Sequence, residues 1–264
     1  MDFTALATYL DGKLINAFDA STLAFSDDAK TTLCGNDDPV YRWGSSGGIS
    51  SLDCYQATLA KRPLYKSDYD GNGYPALLLD GTDDWMQINS LGDADYTDDF
   101  AVFVVGPTLA TATKTFAGRG VTGGLQFGYF SSTTGTQAQV KTNVTTRGAG
   151  ATRSVDQQDG VWGFGFIAGR SLGSAALSVQ SIYNAGETTV ADTSNWYLGT
   201  YNAAALLGNI AVRGFVLCQG LTAAEYAATH FWLAEQYGYG ETISSGGGTA
   251  GFTGIRGLSR RLGT

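Results

Sequence analysis

Proline occurs four times in 264 residues, cysteine three times and histidine once. Each shortage removes a class of protein. A single histidine, His230, and three scattered thiols argue against a structural zinc site. No Gly-x-Ser-x-Gly elbow accompanies the histidine for a Ser-His-Asp triad. Cys34, Cys54 and Cys218 are too few for a disulfide framework, so free thiols in a reducing compartment are expected, with a Cys34–Cys54 bridge as the alternative. The opening Met1-Asp2-Phe3 lacks the basic-then-apolar pattern of a secretory leader. No apolar run approaches the ~18 residues that span a membrane. Lysine and arginine number 16 against 24 acids, and the net charge of −8 argues against a nucleic-acid-binding body. Glutamate is scarce too, standing only at Glu187, Glu225, Glu235 and Glu241; the remaining acids are aspartates, which favour turns and loop ends.

What is plentiful points to an all-β chain. Glycine (37 residues) supplies tight turns, while 13 Phe, 14 Tyr and 5 Trp suit pleated surfaces. Strands are predicted at 14–18, 76–79, 85–88, 100–105, 114–118, 124–131, 136–142, 161–168, 175–183, 195–200 and 209–217. The run Phe100–Val105, closed by Pro107, has the composition of a strand buried on both faces. Val161–Phe166 alternates large residues with glycine, a pattern that packs flat against an opposite sheet or a ligand. Phe3, Leu6, Tyr9 and Leu10 have helical spacing, and residues 34–75 form a long excursion rich in Asp, Asn, Gly and Ser. Thr222-Ala223-Ala224-Glu225 is a capping box that opens a helix running to about Tyr237, where Gly238 stops it.

After residue 240 the composition changes. Ser244 to Gly251 reads as a flexible linker, followed by a tail containing Phe252, Ile255, Arg256, Leu258, Arg260, Arg261 and Leu262. Apolar and basic residues with no local core to join fit a docking arm that orders on a partner, against the plainer reading of a frayed terminus. Two units are therefore expected, a domain over 1–240 and a linker with docking tail over 241–264.

Several segments carry a family resemblance. They are Trp43-Gly44, Arg62-Pro63-Leu64-Tyr65, and Asn72-Gly73-Tyr74-Pro75-Ala76 leading through Leu77–Leu79 into Asp80-Gly81-Thr82-Asp83-Asp84-Trp85. The apolar strand at 100–105 and Leu221–Glu225, opening the helix that ends at Gln236-Tyr237-Gly238, complete the set. Over roughly residues 14–240 they resemble the concanavalin A-like lectin/glucanase superfamily, the laminin-G-like jelly roll, in the form found in bacteriophage virion proteins. The resemblance implies a two-sheet antiparallel jelly-roll sandwich with one C-terminal helix packed on it and an extended tail. It implies carbohydrate partners but does not fix function.

The expected function on this basis is a non-catalytic bacteriophage virion surface protein, made in the host cytoplasm. It would decorate the head or form part of the tail or fibre, bound to other virion proteins through its C-terminal tail. The alternative is a carbohydrate-binding module that recognises host surface glycans, and the third reading is a glycoside hydrolase. The resembling hydrolases carry Glu-x-Asp-x-x-Glu on one strand; this sequence has no such pattern, so no enzyme and no catalytic residue is expected. A homo-oligomer is left open, there being no heptad stalk.

Two binding sites are nominated. Tyr65, Tyr69 and Tyr74, in the polar excursion, are candidates for a sugar platform, whereas Trp85 and Trp162 are assigned to the core. Asp68-Tyr69-Asp70-Gly71-Asn72-Gly73 matches the first half of an EF-hand loop, making Asp68, Asp70 and Asn72 calcium candidates, with Asp37, Asp38 or Asp83 as extra ligands. The second half fails, since Leu79 stands where a bidentate glutamate belongs and Pro75 intrudes; a plain turn before a strand is the competing reading, with no cofactor at all. Gly118–Gly124 lacks the Gly-Lys-Ser/Thr ending of a phosphate loop and reads as a hairpin turn.

Overall fold

The computed structural model describes residues 2–48, 52–89, 100–107, 114–119, 125–132, 135–141, 146–153, 160–167, 170–175, 178–181, 195–200 and 209–239. The chain begins with helix α1 (Thr4–Leu10), then β1 (Leu14–Asp19), β2 (Ala24–Phe25), β3 (Arg42–Trp43), β4 (Cys54–Tyr55) and β5 (Leu64–Lys66). Next come β6 (Ala76–Asp80), β7 (Met86–Ile88), β8 (Phe100–Val105), β9 (Lys114–Arg119), β10 (Leu125–Ser132), β11 (Gly135–Lys141) and β12 (Thr146–Arg153). They are followed by β13 (Val161–Ile167), β14 (Arg170–Ala175), β15 (Ser178–Ser181), β16 (Trp196–Leu198), β17 (Asn209–Val212), β18 (Gly214–Gln219) and helix α2 (Ala223–Gln236).

Among the described residues the strands form three antiparallel sheets. One has six strands in the order β1-β18-β8-β13-β14-β15, one has nine in the order β12-β11-β10-β9-β16-β7-β4-β3-β2, and a small one runs β17-β6-β5. Strands β1, β8 and β18 of the six-stranded sheet are buried on both faces, which explains their almost unbroken burial. One face, with Phe18, Val102, Val104, Trp162, Phe164 and Phe215, shares a core with Trp43, Ile88, Trp196 and Leu198 of the large sheet and Leu77, Leu79 and Ile210 of the small one. The other face, with Phe103, Val105, Val161 and Val216, lies under α1 and α2. The order of layers is helices, six-stranded sheet, then the nine- and three-stranded sheets.

Helix α2 is built as its sequence directs. The Thr222 hydroxyl accepts from the Glu225 amide at 3.2 Å, and the Glu225 carboxylate accepts from the Thr222 amide at 2.7 Å. Lys13 donates to the same carboxylate at 2.6 Å, tying the start of α2 to the entry of β1. The alternation in Val161–Phe166 serves both faces of its strand: Trp162 and Phe164 pack toward the opposite sheets, as expected. A Cβ on Gly165 would lie 2.9 Å from the Tyr226 ring of α2, so the glycine makes room for the helix. His230 is fully buried on α2.

The structure departs from the predicted strands in instructive places. The 209–217 segment is two strands in two different sheets, divided at Arg213, and 175–183 is the end of one strand and the whole of the next. The strand Thr146–Arg153 was not predicted, because its glycine-rich polar sequence carries no alternation to read. The excursion at 34–75 holds β3, β4, β5 and a turn of 3-10 helix at Leu59–Lys61. All three cysteines are free thiols, and burial pushes the Cys54 and Cys218 thiols far up, so both are poor nucleophiles. The linker and tail over 241–264, Glu187, and the turn residues 120–124 lie outside the described residues.

Candidate functional site

The register of the nine-stranded sheet aligns one residue from each strand on its outer face. Phe25 pairs with Arg42, Arg42 with Tyr55, Tyr55 with Gln87, Gln87 with Tyr197, and Tyr197 with Gly118. Directly opposed residues of antiparallel strands project to the same side. The alternate positions, Ala24, Trp43, Cys54, Ile88 and Trp196, enter the core, so the row faces away from it. Arg42, Tyr55, Gln87 and Tyr197 are half-buried, and Gly118, beside Tyr197, is buried.

Contacts within the row hold its side chains in place. Tyr55 donates to the Asn89 side-chain oxygen at 2.9 Å and accepts from the Gln87 amide nitrogen. Trp85 meets Tyr197 edge-on, with centroids 5.7 Å apart and planes at 68°. The Arg42 guanidinium lies 5.8 Å from the Tyr55 ring and 5.9 Å from Tyr41, and Arg62 covers the Tyr41 ring at 4.4 Å. Arg42 also reaches Asp28 and, at 3.3 Å, the almost fully buried carboxylate of Asp53. At that end, beyond Phe25, lies an open cleft of about 470 Å³.

The nominated residues lie elsewhere. Tyr65 packs against the core between the sheets, while Tyr74 packs against the core beneath the helices, its ring 6.4 Å from that of Tyr237. Tyr65 and Tyr74 therefore share no face, and Tyr69 sits with Tyr74 in the loop between β5 and β6. The acceptors of the Asp68–Gly73 loop are engaged by the chain itself. Asp68 accepts from the Gly73 amide, and Asp70 accepts from both nitrogens of Asn72 and pairs with Arg213. Asp37 pairs with Lys66 and Asp38 accepts from the Gly35 amide. Trp85, assigned to the core, is corrected to the outer face: it precedes Met86, which is buried, and so projects to the opposite side. The row itself escapes sequence reading because strands of two or three residues show no period.

One acidic group is preassembled. Carboxylate oxygens of Asp80, Asp83 and Asp84 lie within 4.8 Å of one another in the β6–β7 turn. Asp80 accepts from the Thr82 and Asp83 amides, and Asp84 accepts from the Asp80 amide at 3.1 Å, an arrangement that accounts for the turn. Burial opposes ionisation of Asp80, but these amide donors outweigh it and its pKa falls. For Asp84, burial and then the neighbouring charges of Asp80 and Asp83 win over its one amide donor, and the pKa rises from 3.8 to about 7. The folded chain thus holds this proton more tightly than the unfolded one, and its stability falls as pH rises from about 4 to 7. Asp84→Asn, which keeps a neutral acceptor, is expected to stabilise the protein by about 1–2 kcal/mol at pH 8, solvent screening trimming the full linkage value. The gain should vanish below pH 4; urea melts across pH check it, and a pH-independent difference would sink the assignment.

No protein-family model matches the chain, and no curated protein matches it. Solved structures do. A sialidase from Trypanosoma rangeli in complex with sialic acid aligns with a TM-score of 0.54 at 13% identity, over 87% of this chain and 34% of the sialidase. An arabinofuranosidase complexed with arabinofuranosyl-α-1,2-xylobiose gives 0.60 at 12% identity, over 86% and 63%. Domain 4 of an extracellular arabinanase from Geobacillus stearothermophilus, in complex with arabinotriose, gives 0.52 at 14% identity, over 83% of this chain and 98% of that domain. The chain spans about a third of the sialidase and less than two thirds of the arabinofuranosidase.

These likenesses show the fold, an antiparallel β architecture that occurs in glycoside-acting enzymes. They overturn two expectations. The reading as a non-catalytic bacteriophage surface protein, whether head decoration, tail or fibre, is withdrawn, because these neighbours are glycosidases or a domain of one. The expectation that the chain is no enzyme falls for the same reason. A missing Glu-x-Asp-x-x-Glu strand excludes one layout of catalytic carboxylates and leaves others untouched.

Proposed function

We propose that the chain is a glycoside-processing protein with a concanavalin A-like sandwich, or the sandwich part of one, and that its saccharide lies on the outer face of the nine-stranded sheet. The cross-strand row Arg42, Tyr55, Gln87 and Tyr197 carries this reading. A sugar ring offers an apolar C–H face and a rim of hydroxyls. The tyrosines and Trp85 match the first, and the amide of Gln87, the Asn89 side chain and the guanidinium of Arg42 match the second. The row is presented on a sheet whose other face is locked into the core, so its geometry is fixed before ligand arrives. The arabinanase domain, solved with a trisaccharide and matched over nearly its whole length, supports the same reading.

The test is calorimetric titration of the full chain with neutral and acidic oligosaccharides, each incubation also followed for new reducing ends. A saccharide in the panel is expected to bind, and Tyr197→Ala is expected to weaken it about tenfold or more while leaving the melting temperature little changed, since the ring is only half-buried. Failure of every saccharide to bind or be cleaved would end the proposal. So would binding that Tyr197→Ala and Tyr55→Ala leave intact.

A further inference from the structure

The cleft at the β2 end of the row has features that the row itself does not need. Its floor is the Gly44–Gly48 segment, whose three glycines pass so close to their neighbours that a side chain at any of them is shut out. A Cβ on Gly44 would lie 2.9 Å from Leu23 Cβ, one on Gly47 2.8 Å from Phe3 Cβ, and one on Gly48 2.5 Å from the Ile15 carbonyl oxygen. The cleft therefore presents bare peptide groups and the serines between them. Its polar wall is the Asp53 carboxylate, only 6% exposed, which receives Lys30 Nζ at 2.6 Å, the Ser45 amide at 3.3 Å and Arg42. Lys30 keeps 45% of its side chain in solvent, with donors to spare.

The apolar rim is Leu23, and its backbone is unusual. Leu23 sits at φ +57°, a left-handed conformation that costs a leucine about 1 kcal/mol or more, yet its side chain is 40% exposed. A leucine so held covers no core; it displays an apolar surface at the mouth of a polar cleft. Strained backbone, an exposed apolar side chain and a buried, ion-paired carboxylate converge here on a space of about 470 Å³, within the size range of small-ligand sites.

Resting on the saccharide reading above, we infer that this cleft is an end subsite that seats the terminal residue of a neutral oligosaccharide, the rest of which runs along the row toward Tyr197. The terminal ring lies on Leu23, its hydroxyls bonding Lys30 and Asp53. From β2 to β16 the sheet spans four strand spacings, roughly 19 Å, a length that fits a short oligosaccharide. Neutrality follows from the charges of the cleft itself: Lys30 and Arg42 are matched by Asp53 and Asp28, so among the described residues lining it no cation is left over for an anionic terminal sugar. The net charge of −8 further repels polyanions.

The discriminating variant is Leu23→Gly. Glycine adopts φ +57° without strain, so the fold is kept while the rim is removed. The full chain and this variant are titrated with arabinotriose, xylotriose and cellotriose, and with trigalacturonate and sialyllactose as anionic probes. A neutral trisaccharide is expected to bind the wild type, with Leu23→Gly and Lys30→Met each weakening it tenfold or more and shortening the bound chain sensed by methyl and amide shifts. Binding that is abolished by Tyr197→Ala but unmoved by Leu23→Gly would overturn the end subsite and leave the saccharide face standing. Binding confined to the anionic probes would overturn neutrality, and the absence of any binding would remove both readings together.

Discussion

Asp70→Ala is expected to cost about 2–3 kcal/mol of folding free energy at neutral pH, somewhat below the ~3–5 kcal/mol of a fully buried pair because the Asp70 side chain is 23% exposed. Its partner Arg213 is 1% exposed. The guanidinium also meets the Tyr239 hydroxyl and lies 5.5 and 5.6 Å from the Tyr74 and Tyr239 rings. Removing Asp70 takes a carboxylate away from that charge in a poorly solvated site. Burial pushes the Asp70 carboxyl up, but the Arg213 charge and the Asn72 donors prevail, and its pKa is lowered from 3.8. The sign follows: the pair's contribution is complete above pH 3.8 and is lost as pH falls through the depressed value. Wild type and Asp70→Ala should therefore converge in strong acid. Urea denaturation of both proteins measures it, and a loss under 0.5 kcal/mol for Asp70→Ala would show that the loop is held by other contacts.

A larger effect is expected at Gly106. It follows β8 with φ +137°, and an alanine Cβ there would lie 2.0 Å from the Ala211 carbonyl oxygen and 3.3 Å from the Arg213 amide. Both obstacles are backbone, and both belong to segments fixed by hydrogen bonds: Gly106 to Gly160 at 2.9 Å, Ala211 to Pro107 at 3.1 Å and Arg213 to Val105 at 2.8 Å. No side chain can swing aside. Gly106→Ala is expected to cost about 4 kcal/mol or more, or to prevent folding. Gly71→Ala is the control, because Gly71 also has positive φ (+79°) but nothing within 4 Å of an added Cβ. That change should cost only about 1 kcal/mol. Equal losses at the two positions would mean that backbone conformation alone matters and that the β8–β17 crossing is looser than described.

Local signals carry much of the fold into the sequence. The Thr222–Glu225 box, the Gly238 stop and the doubly buried Phe100–Val105 strand are each readable because neighbouring residues state the whole case. The course of the chain between sheets is not readable in this way. Arg213 divides two strands that the sequence presents as one run, and nothing local marks a charged residue that is buried because a carboxylate 143 positions away meets it. The candidate site fails to show for a related reason. Tyr55, Gln87 and Tyr197 become neighbours only through pairing between short strands, whereas Tyr65, Tyr69 and Tyr74 look like a cluster because they are close in sequence. Asp70 is the instructive case among the nominated ligands. Its spacing suits a cation loop, and the cation it meets is Arg213 of the same chain.

The pairing of β1 with β18, together with the Phe3–Trp232 contact at 5.6 Å and the Lys13–Glu225 bridge, brings the first and last described elements side by side. A folded unit that enters and leaves at one place behaves as a cassette. It can be spliced into a surface loop of a larger protein, or its ends joined and reopened elsewhere, without pulling its sheets apart.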